Sequence, residues 1–414
     1  MTRLADADAQ RLVDADSYAA HGYPHEIWTR LRRERPVAWV EPVGFEPFWA
    51  VTKHRDIRAI SMQPDQFSSR GRNIMITRAA AESLAAALPP NLIQMDPPEH
   101  RSYRQIASPW FTPRNLKAIE ERLRDCARSL VDRLADRDEC DFVSEIAAPL
   151  PLRLIGHLLG IAPADEAFVL ERTNELFGFE DREFRRSDKS GVTAASELVG
   201  FFKQILDERR TDPREDIATL LARATLDGEP MGEADRLGYA FLFLTAGHET
   251  TRNALSGGML ALIERPEECA KLLADPTLAT SAAEEFLRWT TPVSHFLRTA
   301  NQPLTLGGAA ISEGDTLCLY YPSANRDEDV FAEPFEFRVD RTPNPHLAFG
   351  IGEHFCLGAS LARMEIRIFC EEILPRLDHL ELASPPERLA STFVGGIKHL
   401  PIRFRMRDAN AAVR

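Results

Sequence analysis

Residues 349–358 read FGIGEHFCLG and run directly into ASLARMEIRIF. This is a glycine-bearing turn feeding a helix that starts just after a cysteine. A cysteine at a helix N-terminus faces unpaired backbone N–H groups and the positive end of the helix dipole, and both favour the thiolate. Gly352 can take a backbone conformation closed to other residues, so the loop can turn sharply. Gly358 removes side-chain bulk where a flat ligand has to come close. One competing explanation is a buried structural cysteine. Another is a zinc site built from His346, His354 and Cys356, but zinc cysteines usually pair at close spacing and no second cysteine lies nearby. The pattern F-x-x-G-x-x-x-C-x-G fixes four positions. At roughly 5% per residue type it arises by chance in only about a few per thousand chains of this length.

Around this stretch the chain reads as one helical unit. It has 414 residues and no Gly/Ser tract, repeat or low-complexity linker to divide it. Apolar spacing predicts helices over 114–136, 145–160, 164–177, 192–210, 233–264, 280–289 and 357–374. Strand-like runs are few and short, at 49–51, 304–306, 316–320 and 402–406. The expected fold is mainly α with small β-sheets (α+β), a single domain over residues 1–414 with a minor β-rich region. Residues 178–191, GFEDREFRRSDKSG, read as a solvated loop or, alternatively, a mobile lid. The net charge of −13 argues against non-specific nucleic-acid binding, which needs a basic face. The first 20 residues have no apolar core, and the longest apolar stretch, 237–247, falls short of a membrane span. A soluble cytoplasmic monomer is expected. The six cysteines form no CxxC pair, so the other five are expected to be reduced and inert.

The long helix 233–264 carries a second unusual stretch, TAGHETT at 245–251. Gly247 inside a helix costs about 1 kcal/mol relative to Ala, and Thr250 and Thr251 add β-branching. The sequence weakens its own central helix here, as a local groove would require; a plain glycine packing contact is the alternative. Glu249 is the only carboxylate between Asp235 and Glu264. Beside Thr250 it makes an acid–alcohol pair suited to moving protons.

With both motifs in order, the chain resembles the cytochromes P450. The match to their cysteine signature is complete at Phe349, Gly352, Cys356 and Gly358. The resemblance implies haem b, with Cys356 as the axial iron ligand, Phe349 packed on that side and Gly358 and Ala246 giving the ring room. A thiolate ligand pushes electron density onto a haem iron and favours O–O cleavage. The resemblance further implies Thr250 as the hydroxyl and Glu249 as the acid of the proton relay. Glu285 and Arg288, in AAEEFLRW, match the family's ExxR pair, which locks a nearby meander through Arg338 or Arg341. TAGHETT, YPSANRDEDVF and FVGGIKHLPIRF look most like the bacterial branch that contains the terpineol-hydroxylating enzyme, and somewhat like the bacterial sterol side-chain oxidisers.

Two haem propionates need cationic or hydrogen-bonding partners when buried. Residues 96–104 read DPPEHRSYR, with Asp96 as a candidate N-cap and Pro97 at the first helical position. His100 and Arg104 then share a helix face. With Arg298 and His354 they occupy the places the family uses for propionates. By the same resemblance the substrate pocket takes Leu242, Thr245 and Ala246 from the long helix. It takes Val293, Ser294 and Phe296 from the stretch after ExxR, Phe393 and Val394 from the C-terminal loop, and Ile74, Met75 and Leu92 from the loops near Asp96. These are nearly all apolar, as a site for a hydrocarbon requires.

The implied activity is hydroxylation of a C–H bond in a compact hydrophobic molecule, a monoterpenoid or alkyl-aromatic, using O2. The alternatives are a sterol side-chain hydroxylase, a peroxide-driven enzyme or a haem–thiolate sensor without catalysis. The acid–alcohol pair favours the oxygen-using enzyme. No GxGxxG nucleotide fingerprint or flavin domain is present, so electrons must come from outside. The resemblance implies an iron–sulfur ferredoxin with an NAD(P)H-dependent reductase. Such a donor is acidic, and Arg101, Arg114, Lys117, Arg363 and Arg367 are the candidate docking cations.

Overall fold

The computed structural model describes residues 4–78, 80–81, 88–187 and 190–407. The helices that position the site are, in chain order, α1 Glu99–Ala107, α2 Pro113–Asp132, α3 Pro149–Leu159 and α4 Glu166–Phe177. They continue as α5 Ser190–Thr211, α6 Glu233–Glu264, α7 Ala279–Thr290 and α8 Ala359–Ile368. The stretch 145–160 divides into a π-helical turn, Val143–Ala147, followed by α3. The stretch 357–374 likewise ends α8 in a π-helical turn, Phe369–Ile373.

The α6 helix is the spine. From Arg236 to Leu262 its buried residues point in every direction, which is the pattern of a helix enclosed by protein on all sides. One apolar cluster joins α2, α3, α6, α7 and α8, with Leu130, Leu159, Leu255, Met259, Phe286 and Ile366 fully enclosed.

The larger sheet has five strands: β1 Val37–Val40, β2 Phe48–Val51, β3 Phe67–Ser68, β4 His295–Ala300 and β5 Thr316–Tyr320. Their order is β1-β2-β5-β4-β3. Within it β5 pairs parallel with β2 and antiparallel with β4, placing Leu317 opposite Arg298. A second sheet pairs Leu377–Leu382 with Pro401–Met406, and that strand with Glu139–Asp141. Among the described residues no helix is long and apolar enough to cross a membrane.

Two local expectations need correction. Asp96 does not cap α1, whose N-cap is Pro98 without a side-chain bond. Its carboxylate instead accepts from the Ser68 hydroxyl and the Ser69 N–H. Two prolines follow Asp96 and bring no N–H to cap, so the carboxylate serves the neighbouring loop. The loop 178–187 is pinned rather than simply solvated. Asp181 is buried and accepts from the Ala390 N–H at 2.9 Å and the Lys398 ammonium at 3.0 Å. Positions 188 and 189 of that charged stretch lie outside the described residues.

Candidate active site

A buried ion network sets the position of the cysteine loop. Glu285 is fully enclosed and accepts from Arg288 Nε and Nη2, each at 2.7 Å. Arg288 spends its remaining N–H groups on the carbonyls of Asn325, Pro334 and Glu336. The third charged member is Arg341, whose Nε lies 3.1 Å from Glu285 Oε2. Arg338 offers Glu285 only its backbone N–H, at 2.9 Å, and its side chain is half exposed. The meander is therefore locked at the point where Asn325 Oδ1 accepts the Leu347 N–H at 2.7 Å. From Leu347 the chain enters the cysteine loop.

That loop turns at Gly352, whose φ is +78°. A Cβ there would meet the Ser61 carbonyl oxygen at 2.4 Å, so glycine is required by conformation and by space. The Cys356 N–H bonds back to the Phe349 carbonyl at 2.9 Å. A Cβ on Gly358 would lie 3.9 Å from Cys356 Sγ. The expected ease of thiol ionisation is only partly realised. Burial pushes the Cys356 thiol up, opposed by the Gly358 N–H and the charges of Arg104 and Arg363. Desolvation outweighs the helix end here.

Above the loop lies a cavity of about 230 Å³. Its wall brings together Leu92, His100, Arg104, Leu242, Ala246, Thr250, Val293, Phe296, Arg298, Phe349, His354, Cys356 and Gly358 out of the residues expected from sequence. Strand alternation turns Phe296 and Arg298 of β4 to this face. Ala246 is exposed in the middle of an otherwise buried helix because it faces the cavity.

Several expected residues are elsewhere. Phe393 and Val394 sit one layer back, with the Phe393 ring 5.7 Å from that of Phe296 and Val394 bridged to Val293. The Ser294 hydroxyl is held by the Thr392 carbonyl and His295 Nδ1. Thr245 folds its hydroxyl onto the Phe241 carbonyl of its own helix, at 2.9 Å. Met75 is enclosed in the core around Trp28, and Ile74 is not on the cavity wall. Glu249 is also off the wall. Residues i and i+1 of a helix do not share a face, and its carboxylate is turned to Arg252 Nη1 at 3.0 Å and Asn253 Nδ2 at 3.2 Å. Arg252 reaches on to Asn174 of α4 at 2.7 Å.

Sequence reasoning missed Tyr239 and Phe243, both on the wall. They lie at helical spacing from Leu242, Ala246 and Thr250, so the same face could have been extended by one turn. It also missed Ile155, which packs where a Cβ on Gly247 would stand, 3.0 Å from Ile155 Cδ1. Of the two explanations of Gly247, this contact is the packing one, and α6 runs unbroken through it.

The wall suits a flat, largely apolar ligand with an anionic edge. His100 is buried and neither ring nitrogen has a hydrogen-bond partner; Glu353 stands 3.6 Å from Nδ1. Arg298 is buried and donates from Nη1 to the Leu297 carbonyl at 2.8 Å, and burial lowers its pKa. His354 is pushed down to about 3, first by burial and then by the charge of Arg298. A buried guanidinium is costly unless an anion completes it, and neutral imidazoles can donate to the same anion. The zinc alternative has no such support: His346 Nε2 is bound to Glu284 at 3.0 Å. Among the described residues no three His, Cys, Asp or Glu side chains could hold a metal ion together.

Comparison with known proteins decides the family. The sequence profile of Cytochrome P450 matches residues 176–403. Cytochrome P450-terp of Pseudomonas sp is 38% identical over 400 residues, covering 92% of this chain and 93% of that one. The chain belongs to the cytochrome P450 family. Linalool 8-monooxygenase of Pseudomonas putida is also 38% identical, over 92% of this P450 and 95% of its relative. The crystal structure of CYP108D1 from Novosphingobium aromaticivorans superposes with a TM-score of 0.90 at 36% identity, covering 98% of this chain and 100% of the other. The P450 fold, mainly α with small sheets, brings haem as its cofactor and makes this chain a monooxygenase that uses O2 and external reductant.

Proposed function

We propose that this P450 hydroxylates a C–H bond of a compact apolar molecule, a monoterpenoid or alkyl-aromatic hydrocarbon, with electrons from a ferredoxin and its NAD(P)H-dependent reductase. The observation that carries the substrate reading is the wall on the α6 side of the cavity. Leu92, Ile93, Ile155, Leu242, Phe243, Val293 and Phe296 give it apolar area; of the charged groups in the same cavity, Arg104 and Arg298 go to the propionates and Glu365 is itself acidic. The Tyr239 hydroxyl is already spent on the Tyr103 carbonyl at 2.6 Å. Such a wall rewards shape and apolar area and offers no partner for a substrate carboxylate. The names of the terpene-associated relatives agree with it.

In this reading Cys356 Sγ ligates the iron and Phe349 packs beside it. His100, Arg104, Arg298 and His354 hold the propionates, and Ala246 and Gly358 leave the ring room. Bound there, haem supplies reductive activation of O2 and insertion of one oxygen atom. The protein's own part is to exclude water, orient the substrate and deliver protons. Thr250 Oγ1 is the last carrier, at the wall. Glu249 feeds it from behind α6, by exchanging its bond to Arg252 for a path through water. Residues 1–414 act as one catalytic unit in the cytoplasm.

For the ferredoxin, the candidate docking set shrinks. Arg101 is paired with Glu353, Arg363 with Glu284, and Arg367 with Glu371 and Glu120. Arg114 and Lys117 are exposed with no ion pair among the described residues, and they are the cations we assign to the acidic donor. Reversing both charges should slow electron transfer and flatten its salt dependence.

The substrate reading is tested by optical titration of the ferric protein with monoterpenoids, alkylbenzenes, biaryls and a sterol. A shift of the Soret band from low to high spin with the first two classes is expected. A response to the sterol alone overturns the compact-substrate reading.

A further inference from the structure

Arg363 looks like a surface cation in the sequence; its side chain stays 38% exposed, but its guanidinium is held within the fold. Its guanidinium lies 4.6 Å from the centroid of the Phe349 ring. Its Nε and Nη2 hold the two oxygens of Glu284 at 2.5 and 3.0 Å. The same carboxylate takes His346 Nε2, and the His346 ring stands 5.8 Å from Phe349. Glu284 is fixed because its neighbour Glu285 sits in the enclosed network with Arg288 and Arg341. On its other side Phe349 is tied to Cys356 through the 2.9 Å backbone bond. A fork held by a bidentate carboxylate and a face covered by an aromatic ring leave little for a docking partner to take.

We infer that Arg363 is a positioning residue for the iron ligand: with Glu284 it clamps Phe349 and sets the charge beside Cys356, so that it governs the reduction potential of the haem and not ferredoxin docking. This rests on Cys356 as the axial ligand. The pair places one positive and one negative charge near the site that gains an electron on reduction. Removing the cation leaves Glu284 uncompensated and opposes reduction; removing the anion leaves Arg363 uncompensated and favours it. A purely structural clamp would behave differently, because loosening Phe349 from either side would shift the potential in one direction.

The test is spectroelectrochemistry of the haem-loaded protein carrying R363Q, R363K or E284Q. R363Q should weaken uptake of one electron about threefold or more, about 30 mV at 59 mV per tenfold. E284Q should shift it the opposite way by a similar factor, and R363K should stay near the parent. The salt dependence of reduction by ferredoxin should be unchanged in R363Q. Shifts of the same sign in R363Q and E284Q, or no shift, overturn the inference. So does a flattened salt dependence in R363Q. If R363Q does not retain haem, E284Q decides alone, and an unraised potential there overturns the inference. A parent protein whose reduced CO complex lacks the thiolate-type spectrum defeats the assignment of Cys356 itself, and is told apart by that spectrum.

Discussion

Thr250 donates its hydroxyl to the carbonyl of Ala246, 2.7 Å away and one turn back on α6. Both residues are on the cavity wall, so the hydroxyl competes with the helix's own N–H for that carbonyl at the point where protons must arrive. Thr250→Ala removes the carrier and leaves the apolar wall intact. It should bind substrate within about twofold of the parent, since little contact area is lost, and should divert reducing equivalents to hydrogen peroxide. Product formed per NADH, measured with peroxide in the same reaction, checks this. A parent-like ratio would remove Thr250 from the relay. Thr250→Ser should keep most of the coupling.

Glu285 accepts side-chain bonds from both Arg288 and Arg341, whereas Arg338 reaches it only through the backbone. Breaking an enclosed ion pair by removing one partner costs about 3–5 kcal/mol. Arg341→Met should therefore sharply reduce haem retention and thermal stability. Arg338→Met, three residues earlier, should cost little, because its half-exposed ion pairs contribute about 0–1 kcal/mol. The ratio of Soret to protein absorbance after purification, with a melting curve, separates the two. Equal losses would place the lock elsewhere.

The parts legible in the sequence were those where one strong local rule acts. The bounds of α6, 233–264, follow from unbroken apolar spacing between its polar ends, and the cysteine loop follows from the fixed spacing of Phe349, Gly352, Cys356 and Gly358. The early helices Asp6–Arg11, Ala15–His21 and His25–Glu34 did not show, being too short to establish a period. Strand β4 was hidden because its cavity face carries Phe296 and Arg298, which breaks simple apolar–polar alternation. The choice between Arg338 and Arg341 needed the meander's path in space. The direction of the Glu249 side chain was not legible either. Adjacency in sequence suggested a pair with Thr250, while helix geometry gives Glu249 to Arg252.

Glu365 lies on the cavity wall nine residues beyond Cys356 and accepts from Thr251 Oγ1 at 3.2 Å. Burial raises its pKa to about 8, against the opposing pull of that one bond. An unfolded glutamate ionises near 4.3. Below about pH 4.3 both states hold the proton and folding carries no penalty. Between there and about 8 the unfolded chain ionises while the folded one does not, so the penalty grows with pH and then levels off. Glu365→Gln should raise the melting temperature more at pH 8 than at pH 5. An equal increment at both would mean that Glu365 is already ionised in the fold.

His399 ties the charged loop to the C-terminal strands. Its Nδ1 stands 2.8 Å from Asp141 and its Nε2 2.8 Å from Glu183, while neighbouring Lys398 reaches Asp181, Glu183 and more distantly Glu387. Burial alone would lower the imidazole pKa, but the two carboxylates raise it above its ordinary value. A raised histidine contributes stability that is complete below its unfolded pKa, about 6.5. That contribution is lost as pH rises through the higher folded value. The loop around the exposed Arg182 should then loosen with rising pH, while Asp181, held by Lys398 and the Ala390 N–H, stays anchored. Trypsin cleavage at Arg182, followed over native pH and corrected for the enzyme's own pH dependence, should rise through a single step above pH 6.5. His399→Gln should cleave at the faster rate throughout and show no step. A step of the same size in that variant would assign the titration to another group.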